Sequence, residues 1–201
     1  MKDMGIKAIH KRQFKVTTKS DHNYPVAQNI LNRNFQADTP NQKWVADITY
    51  IRTFEGWMYL AAIMDLYSRK IVGWGMSKTM TATLATTALE MAIHRRHPLK
   101  RLLHHSDRGA QYASKEYQEL LKKYGMVCSM SRKGNCWDNA PMESFFSTLK
   151  AECIAGKIYL SRAQAQREIF EYIEIYYNRQ RCHSAIGNMV PEFFENQRIS
   201  A

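Results

Sequence analysis

The sequence is poor in the features that would set it apart from an ordinary globular chain. It has few cysteines, and none of Cys128, Cys136, Cys153 or Cys182 stands in a Cys-x-x-Cys pair. His94 with His97, and His104 with His105, have no cysteine at zinc-finger spacing, so a structural zinc is not expected. Reduced cysteines that mainly pack are the better reading. No run of about 18 uncharged apolar residues occurs, which argues against a transmembrane helix. The opening Met-Lys-Asp-Met-Gly-Ile-Lys lacks the apolar stretch of a secretory signal. A cytoplasmic protein with no membrane partner is therefore the default expectation. Acidic residues are also scarce: 18 Asp and Glu face 29 Lys and Arg.

What is present is a hydrophobic fraction of 45%, with Trp, Tyr and Phe spread along most of the chain, which makes disorder a poor description of most of it. A length of 201 residues suits one domain plus an appendage. The formal charge of +11 points toward nucleic acid, because cationic side chains that neutralise phosphates release counterions. The excess is concentrated at the start. In residues 1–40, Lys2, Lys7, Lys11, Arg12, Lys15, Lys19 and Arg33 meet only Asp3, Asp21 and Asp38 as acids. Apolar periodicity is missing there, and Asp38-Thr39-Pro40-Asn41 is a turn or linker signal. Residues 1–40 thus read as a basic arm or the remnant of a smaller module, and residues 41–197 as the core with a C-terminal helix.

Within the core, residues 44–51 and 57–64 read as strands joined by a turn at 53–56, the second buried on both faces. A turn at 66–70 leads to a third strand at 71–76, which completes an antiparallel meander. The period then changes. Leu84, Ala88, Met91, Ala92 and Arg95 fall on one side of a helix over about residues 81–96. Residues 101–106 read as a fourth strand and 126–130 as a fifth, separated by a helix capped by Ser114 and stopped at Gly125. Strands that alternate with helices favour parallel pairing. A polar loop over 131–139 follows, with Asn139 as a plausible cap and Pro141 in the first turn of a helix carrying Glu143 to Lys150. A last long helix starts at Ser161, with Gln164 completing a capping box, and runs to about Tyr177.

Three carboxylates stand out by context. Asp47 interrupts an apolar strand, where a charge is costly unless paired or bound to metal. Asp107 sits where the fourth strand ends, a common ligand position in open α/β sheets. Glu143 opens a helix after a polar loop. Such a set suits Mg²⁺, which prefers oxygen ligands. It also suits a phosphodiester site in which two ions activate the attacking oxygen and stabilise the leaving one. The bland alternatives are an edge-strand Asp and a solvated helical Glu. Lys150 lies seven residues after Glu143, two turns along one helical face and about 10 Å further on, where a DNA phosphate could pass.

Several motifs resemble a known family. They are Trp44-Val45-Ala46-Asp47-Ile48-Thr49-Tyr50, Asp65-Leu66-Tyr67-Ser68-Arg69-Lys70-Ile71-Val72-Gly73-Trp74 and His105-Ser106-Asp107-Arg108-Gly109-Ala110-Gln111-Tyr112. Gly134-Asn135-Cys136-Trp137-Asp138-Asn139-Ala140 runs into Glu143-Ser144-Phe145-Phe146 and Lys150, and Tyr177-Asn178-Arg179-Gln180-Arg181-Cys182-His183-Ser184 comes last. Residues 108–142, 35 in number, separate Asp107 from Glu143, as in the signature of that family. In order and spacing, the chain resembles the OrfB-type catalytic subunit of bacterial insertion-sequence transposases of the insertion-sequence-three group, relatives of the retroviral integrases.

The resemblance implies an α/β, ribonuclease-H-like fold with a five-stranded mixed sheet flanked by helices. It also implies a DDE transposase core that uses Asp47, Asp107 and Glu143 as catalytic and metal-binding residues. Two Mg²⁺ ions, or Mn²⁺ in their place, would be bridged by Asp47 and completed by Asp107 and Glu143. Water would free a 3′-OH at a transposon end, and that hydroxyl would attack a second DNA phosphodiester. Lys150, Arg132, Lys133, Asn139 and Arg108 are the expected DNA contacts. Asp65, Ser68 and Arg69 are expected to fix a turn, Gly109 to permit one beside the metals, and Tyr177, Asn178, Arg181 and His183 to brace the last helix. Neither His104 nor His105 is needed as a general base. The implied partners are transposon ends and target DNA, further copies of the chain in a synaptic multimer, and a companion helix-turn-helix protein or N-terminal fusion partner, with residues 1–40 as the tail of such a DNA-binding module. Such a protein would work at the bacterial nucleoid. Met189-Val190-Pro191 stands where the family more often has Ser or Thr before the proline. The alternatives are a truncated, non-catalytic DNA-binding remnant of a transposase and a nuclease acting on RNA–DNA hybrids.

Overall fold

A computed structural model of the chain describes residues 24–197. Residues 1–23 and 198–201, and with them the basic cluster from Lys2 to Lys19, lie outside the described residues.

The meander is present as β1 (Lys43–Thr53), β2 (Gly56–Asp65) and β3 (Ile71–Ser77), paired antiparallel in sequence. β4 (Leu103–Ser106) and β5 (Val127–Met130) add in parallel on the other side of β1. The mixed sheet therefore has the order β3-β2-β1-β4-β5. Parallel strands need crossover connections. These are α1 (Ala82–Arg96) before β4, and α2 (Ala110–Ala113) with α3 (Lys115–Lys123) before β5. A 3-10 turn at Cys136–Asn139 then leads into α4 (Ala140–Leu149), followed by α5 (Arg162–Phe170) and α6 (Pro191–Gln197). Both α4 and α5 continue as wider π-helical turns, at Lys150–Ile154 and Glu171–Tyr177.

Alternation along the central strands sends side chains to two cores. Val45 and Ile51 of β1, with Met58, Leu60, Ala62 and Met64 of β2, pack against Phe145, Leu149 and Ile169. Trp44 and Ala46, with Ala61 and Ile63, pack against Leu84, Ala88, Leu89, Tyr117 and Leu121. This double burial is why β2 reads as one apolar run. α1 turns Leu84, Ala85, Ala88, Leu89, Ala92 and Ile93 inward. Arg95, expected on that side, instead pairs with Glu174 at 2.6 Å.

The turn after β2 is held by Asp65, fully buried, whose Oδ1 accepts from the Tyr67 amide at 3.0 Å and whose Oδ2 accepts from the Asn41 amide at 2.8 Å. Asn178 braces the C-terminal helix: its side chain accepts from the Ile71 amide at 2.9 Å and donates to the Ile71 carbonyl at 3.0 Å. Ser114 caps α3 and Ser161 caps α5. The capping box differs in one bond, because Gln164 accepts from Leu160 rather than from the Ser161 amide.

The described part of the 1–40 segment lies on the core. The Ile30 and Leu31 amides donate to Ser129 Oγ on β5, and Leu31 is 1% exposed. Lys43 Nζ donates to the carbonyls of Asn34 and Gln36.

Glycine is required where α1 crosses β3. A Cβ on Gly73 would lie 2.2 Å from the Ala88 carbonyl and 2.7 Å from the Ala92 Cβ. Gly73→Ala is expected to cost about 1–3 kcal/mol, the scale of core overpacking. Thermal melting followed by circular dichroism checks it, and a midpoint within about a degree of wild type would contradict the close approach.

Candidate active site

The site begins with the register of two parallel strands. Lys43 to Ala46 of β1 pair with Leu103 to Ser106 of β4, and Ala46 stands opposite Ser106. The next residue on each strand is a carboxylate, so Asp47 and Asp107 leave the sheet side by side. Both are half-buried. Asp47 Oδ1 accepts from the Ile48 amide at 2.7 Å. Asp107 Oδ1 accepts from the Gly109 amide at 2.8 Å. β4 ends here while β1 runs on to Thr53, so the edge of β1 beyond Ala46 has no β4 residue beside it.

Gly109 serves this arrangement through space rather than through an unusual turn. Its φ of −60° is open to any residue, but a Cβ would sit 3.0 Å from Asp107 Oδ1.

The third carboxylate comes from α4. Asn139, expected to cap that helix, makes no side-chain cap bond. It is buried at 4% exposure and its Nδ2 donates across 3.0 Å to the carbonyl of Ala46. The start of α4 is thereby tied to the residue before Asp47, and Glu143 follows one helical turn later. Asp47 is held well above the usual carboxylate range, first by burial, then by the charges of Asp107 and Glu143, against the Ile48 amide and Lys150, which favour its charged form. Asp107 and Glu143 thus both lie close enough to act on Asp47 as like charges.

Lys150 closes the group. Its Nζ lies over the Tyr50 ring, 4.8 Å from the centroid. Burial pulls its pKa down, while Asp47 pushes it up. Tyr112 lies below. Its pKa is driven far up by burial and Tyr117, and also by Asp47 and Asp107, and its buried hydroxyl has no hydrogen-bond partner.

The loop over 131–139 is less open than its composition suggests. Asp138 is fully buried and gathers Arg132 in a fork at 2.7 and 2.9 Å, the Arg132 amide, Asn29 and Arg33. Its pKa is held far below the ordinary carboxylate value, chiefly by the Arg132 side chain. Arg132, expected on phosphate, is thus engaged within its own loop. Arg108 Nε donates to the Ser131 carbonyl at 2.6 Å, and Lys133 is exposed at the loop tip. His104 and His105 are buried and driven by that burial to about 3 and about 4. They are neutral spacers bonded to Tyr117 and to Ser129 and Ser131. Asp138, Tyr112 and Tyr50 stand within the family motifs, but the sequence gives them no separate role; their partners Arg132, Tyr117 and Lys150 emerge only in the fold.

Asp47, Asp107 and Glu143 are all half-buried. Two concavities of about 450 and 270 Å³ lie elsewhere, beside Tyr24 and α3 and beside Thr39 to Gln42 and His97 to Leu102. Among the described residues, no three His, Cys, Asp or Glu side chains already close around a point that could hold a metal ion. The donor chemistry at Asp47 nevertheless fits a hard divalent cation: carboxylate oxygens, with Asp107 and Glu143 near enough to act on Asp47 as like charges.

Comparison with known proteins agrees with this geometry. Two models of the integrase core domain match, over residues 37–136 and 124–191. Transposase InsF for insertion sequence IS3A of Escherichia coli K12 is 48% identical over 200 residues, covering 100% of this chain and 69% of that protein. The insertion element IS600 uncharacterized 31 kDa protein of Shigella sonnei is 49% identical over 196 residues, covering 98% and 72%. In fold, the HTLV-2 integrase catalytic core domain in complex with magnesium superimposes with a TM-score of 0.60 at 17% identity, over 79% of this chain and 99% of that one. The BIV integrase catalytic core domain gives 0.56 at 18%, over 80% and 97%. The sheet is therefore that of a ribonuclease-H-like integrase core.

Asp138 makes a pH-dependent contribution of known sign. A carboxyl whose folded pKa is depressed stabilises fully above its unfolded value near 4 and loses that stabilisation as pH falls below it. Asp138→Asn is expected to lower the melting temperature at pH 7 by the equivalent of about 1–2 kcal/mol, allowing for arginines that remain solvated. The gap from wild type should narrow as pH drops below about 4. Melting curves against pH check it, and a gap that widens in acid would contradict the assignment.

Proposed function

The chain belongs to the integrase core domain family as a DDE transposase core, and on that premise we propose that Asp47, Asp107 and Glu143 are its catalytic, metal-holding carboxylates. The observation that carries this reading is the electrostatic convergence of Asp107, Glu143 and Lys150 on Asp47. Its substrate is DNA: a transposon end, then a target. Water attacks the phosphodiester at the end and releases a 3′-OH, and that hydroxyl attacks a second phosphodiester by in-line displacement.

A divalent cation of the Mg²⁺ type, with Mn²⁺ as its substitute and two ions in the active complex, supplies when bound a Lewis acid for attacking and leaving oxygens. The residues of the chain supply the frame. The Ile48 amide orients the Asp47 carboxylate, and the Gly109 amide orients that of Asp107. Asn139 fixes the start of the helix that carries Glu143. Lys150 offers its ammonium to a phosphate of the DNA strand. Arg108 and Lys133 border the same surface and are assigned to phosphates further along it, with Asn139 acting from beneath. Arg132 acts on DNA only if Asp138 yields part of its fork.

End recognition by a helix-turn-helix module, fused ahead of the core or carried by a companion protein, belongs to the same proposal. So do a homo-multimer assembled on paired ends and a workplace at the nucleoid. No helix among the described residues is long and apolar enough to cross a membrane.

Strand transfer on a labelled transposon end with Mg²⁺ or Mn²⁺ tests the reading. Asp47→Asn, Asp107→Asn and Glu143→Gln are each expected to lower activity at least about a hundredfold, the scale for losing one preorganised electrostatic group. Undiminished activity in any of them would overturn the assignment. Lys150→Ala is expected to weaken DNA binding and reduce the salt slope of log K by about one. Salt-sensitive binding by wild type without metal-dependent cleavage would favour the non-catalytic remnant instead.

A further inference from the structure

The tip of the first hairpin projects past its neighbours. β3 reaches β2 only as far as Tyr59, and β4 reaches β1 only as far as Ala46. At Thr53 the strand edge is closed again by a bridge to Tyr159. Between these limits the hairpin is a two-stranded ribbon. Ile51 and Met58 are buried in the core on one face of it.

The other face carries a different chemistry. Side chains alternate along a strand, so Tyr50 and Arg52 share this face. Trp57 stands opposite Arg52 in register and Tyr59 opposite Tyr50. Trp57 is 48% exposed and meets Tyr50 edge to face, with centroids 5.1 Å apart and planes at 87°. Lys150 Nζ sits 4.8 Å over the Tyr50 ring, Arg52 is exposed, and Arg162 Nε donates to the Trp57 carbonyl at 3.3 Å. The acid beside them, Glu55, accepts from the Arg162 amide.

We propose that Trp57 and Tyr50, flanked by Lys150, Arg52 and Arg162, form a stacking platform for an unpaired base of the DNA strand held at Asp47. Base-on-aromatic stacking combined with a basic border is how single-stranded nucleic acid is gripped without regard to sequence. Trp, Tyr and Arg also suit protein interfaces, where Lys is depleted; here Lys150 lies on the strip and ties it to Asp47, where the DNA is held, and a protein partner is an outcome of the test. By the same alternation Asp47 leaves β1 on the face of Ile51, and Lys150, which lies over Tyr50 and acts electrostatically on Asp47, links the two faces around the edge of β1 that β4 leaves open. The platform therefore takes a base a few nucleotides from the phosphate under attack, frayed or flipped from the duplex end, where the strand rounds that edge past Lys150. This rests on the DNA-processing reading above and adds a subsite to it.

The test uses a short duplex with a three-nucleotide single-stranded tail carrying 2-aminopurine, and the same sequence fully paired. Wild type, Asp107→Asn, Trp57→Ala and Trp57→Phe are compared by 2-aminopurine emission, by binding anisotropy and by sedimentation. Wild type and Asp107→Asn should quench the tailed probe. Trp57→Ala should lose the quenching and bind that probe about tenfold more weakly, while changing affinity for the paired probe less than about twofold. Trp57→Phe, which keeps a ring, should retain most of both. Quenching and affinity unchanged in Trp57→Ala would overturn the platform and leave the DNA-processing reading intact. So would a change confined to subunit association, which would make the strip a protein interface. Failure of wild type to bind either probe would overturn the DNA-processing reading and the platform with it.

Discussion

The parallel pairing of β1 with β4 governs the geometry of the molecule. With Ala46 opposite Ser106, the next residue on each strand is an aspartate, and two acids that are 60 positions apart in the chain are brought to one level of the sheet. A slip of one residue would turn Asp47 to the opposite face, because side chains alternate with period two. The register is protected from both sides. Trp44 and Ala46 are buried in one core, and Val45 and Ile51 in the other. The hydrophobic pattern that folds the sheet is thus also what aims the carboxylates.

The same point anchors the third acid. Asn139 reaches Ala46 rather than its own helix, so the helix bearing Glu143 is referenced to the strand bearing Asp47. Asp138, one residue earlier, binds the loop to Asn29 and Arg33. Segment 24–40, the 131–139 loop and the sheet therefore form one supported unit around Asp47. Burial and the neighbouring Asp107 and Glu143 all disfavour the charged form of Asp47. A hard cation with oxygen ligands would favour that charged form.

Much of this was legible in the sequence. Asp47 betrayed itself as a charge within an apolar strand, Asp107 by its place at a strand end before a glycine, and Glu143 by its helix start. The antiparallel meander and the parallel pairing of the later strands could be inferred because the period changes from two to 3.6 after the meander, whereas the place of β4 beside β1 could not. The supporting contacts were not legible, because they join residues roughly a hundred positions apart. Asn139 looked like a cap from its position before Pro141, and Arg132 looked like a loop cation free for phosphate. The Ala46 partner of Asn139 is set by tertiary packing, whereas Arg132 is turned onto Asp138, only six positions on, by a loop fold that its polar composition does not reveal. The place of Gly109 after Arg108 suggests a turn glycine, but its ordinary φ and the nearness of Asp107 make it a clearance glycine.

The central claim is that three carboxylates from three elements act as one cation site on DNA. The most direct measurement is electron paramagnetic resonance of Mn²⁺ bound to the protein–DNA-end complex, for wild type and for Asp47→Asn, Asp107→Asn and Glu143→Gln. The account predicts a bound-Mn²⁺ signal in wild type that is lost or strongly weakened in each variant while DNA stays bound. An unchanged bound-Mn²⁺ signal in all three variants would contradict it.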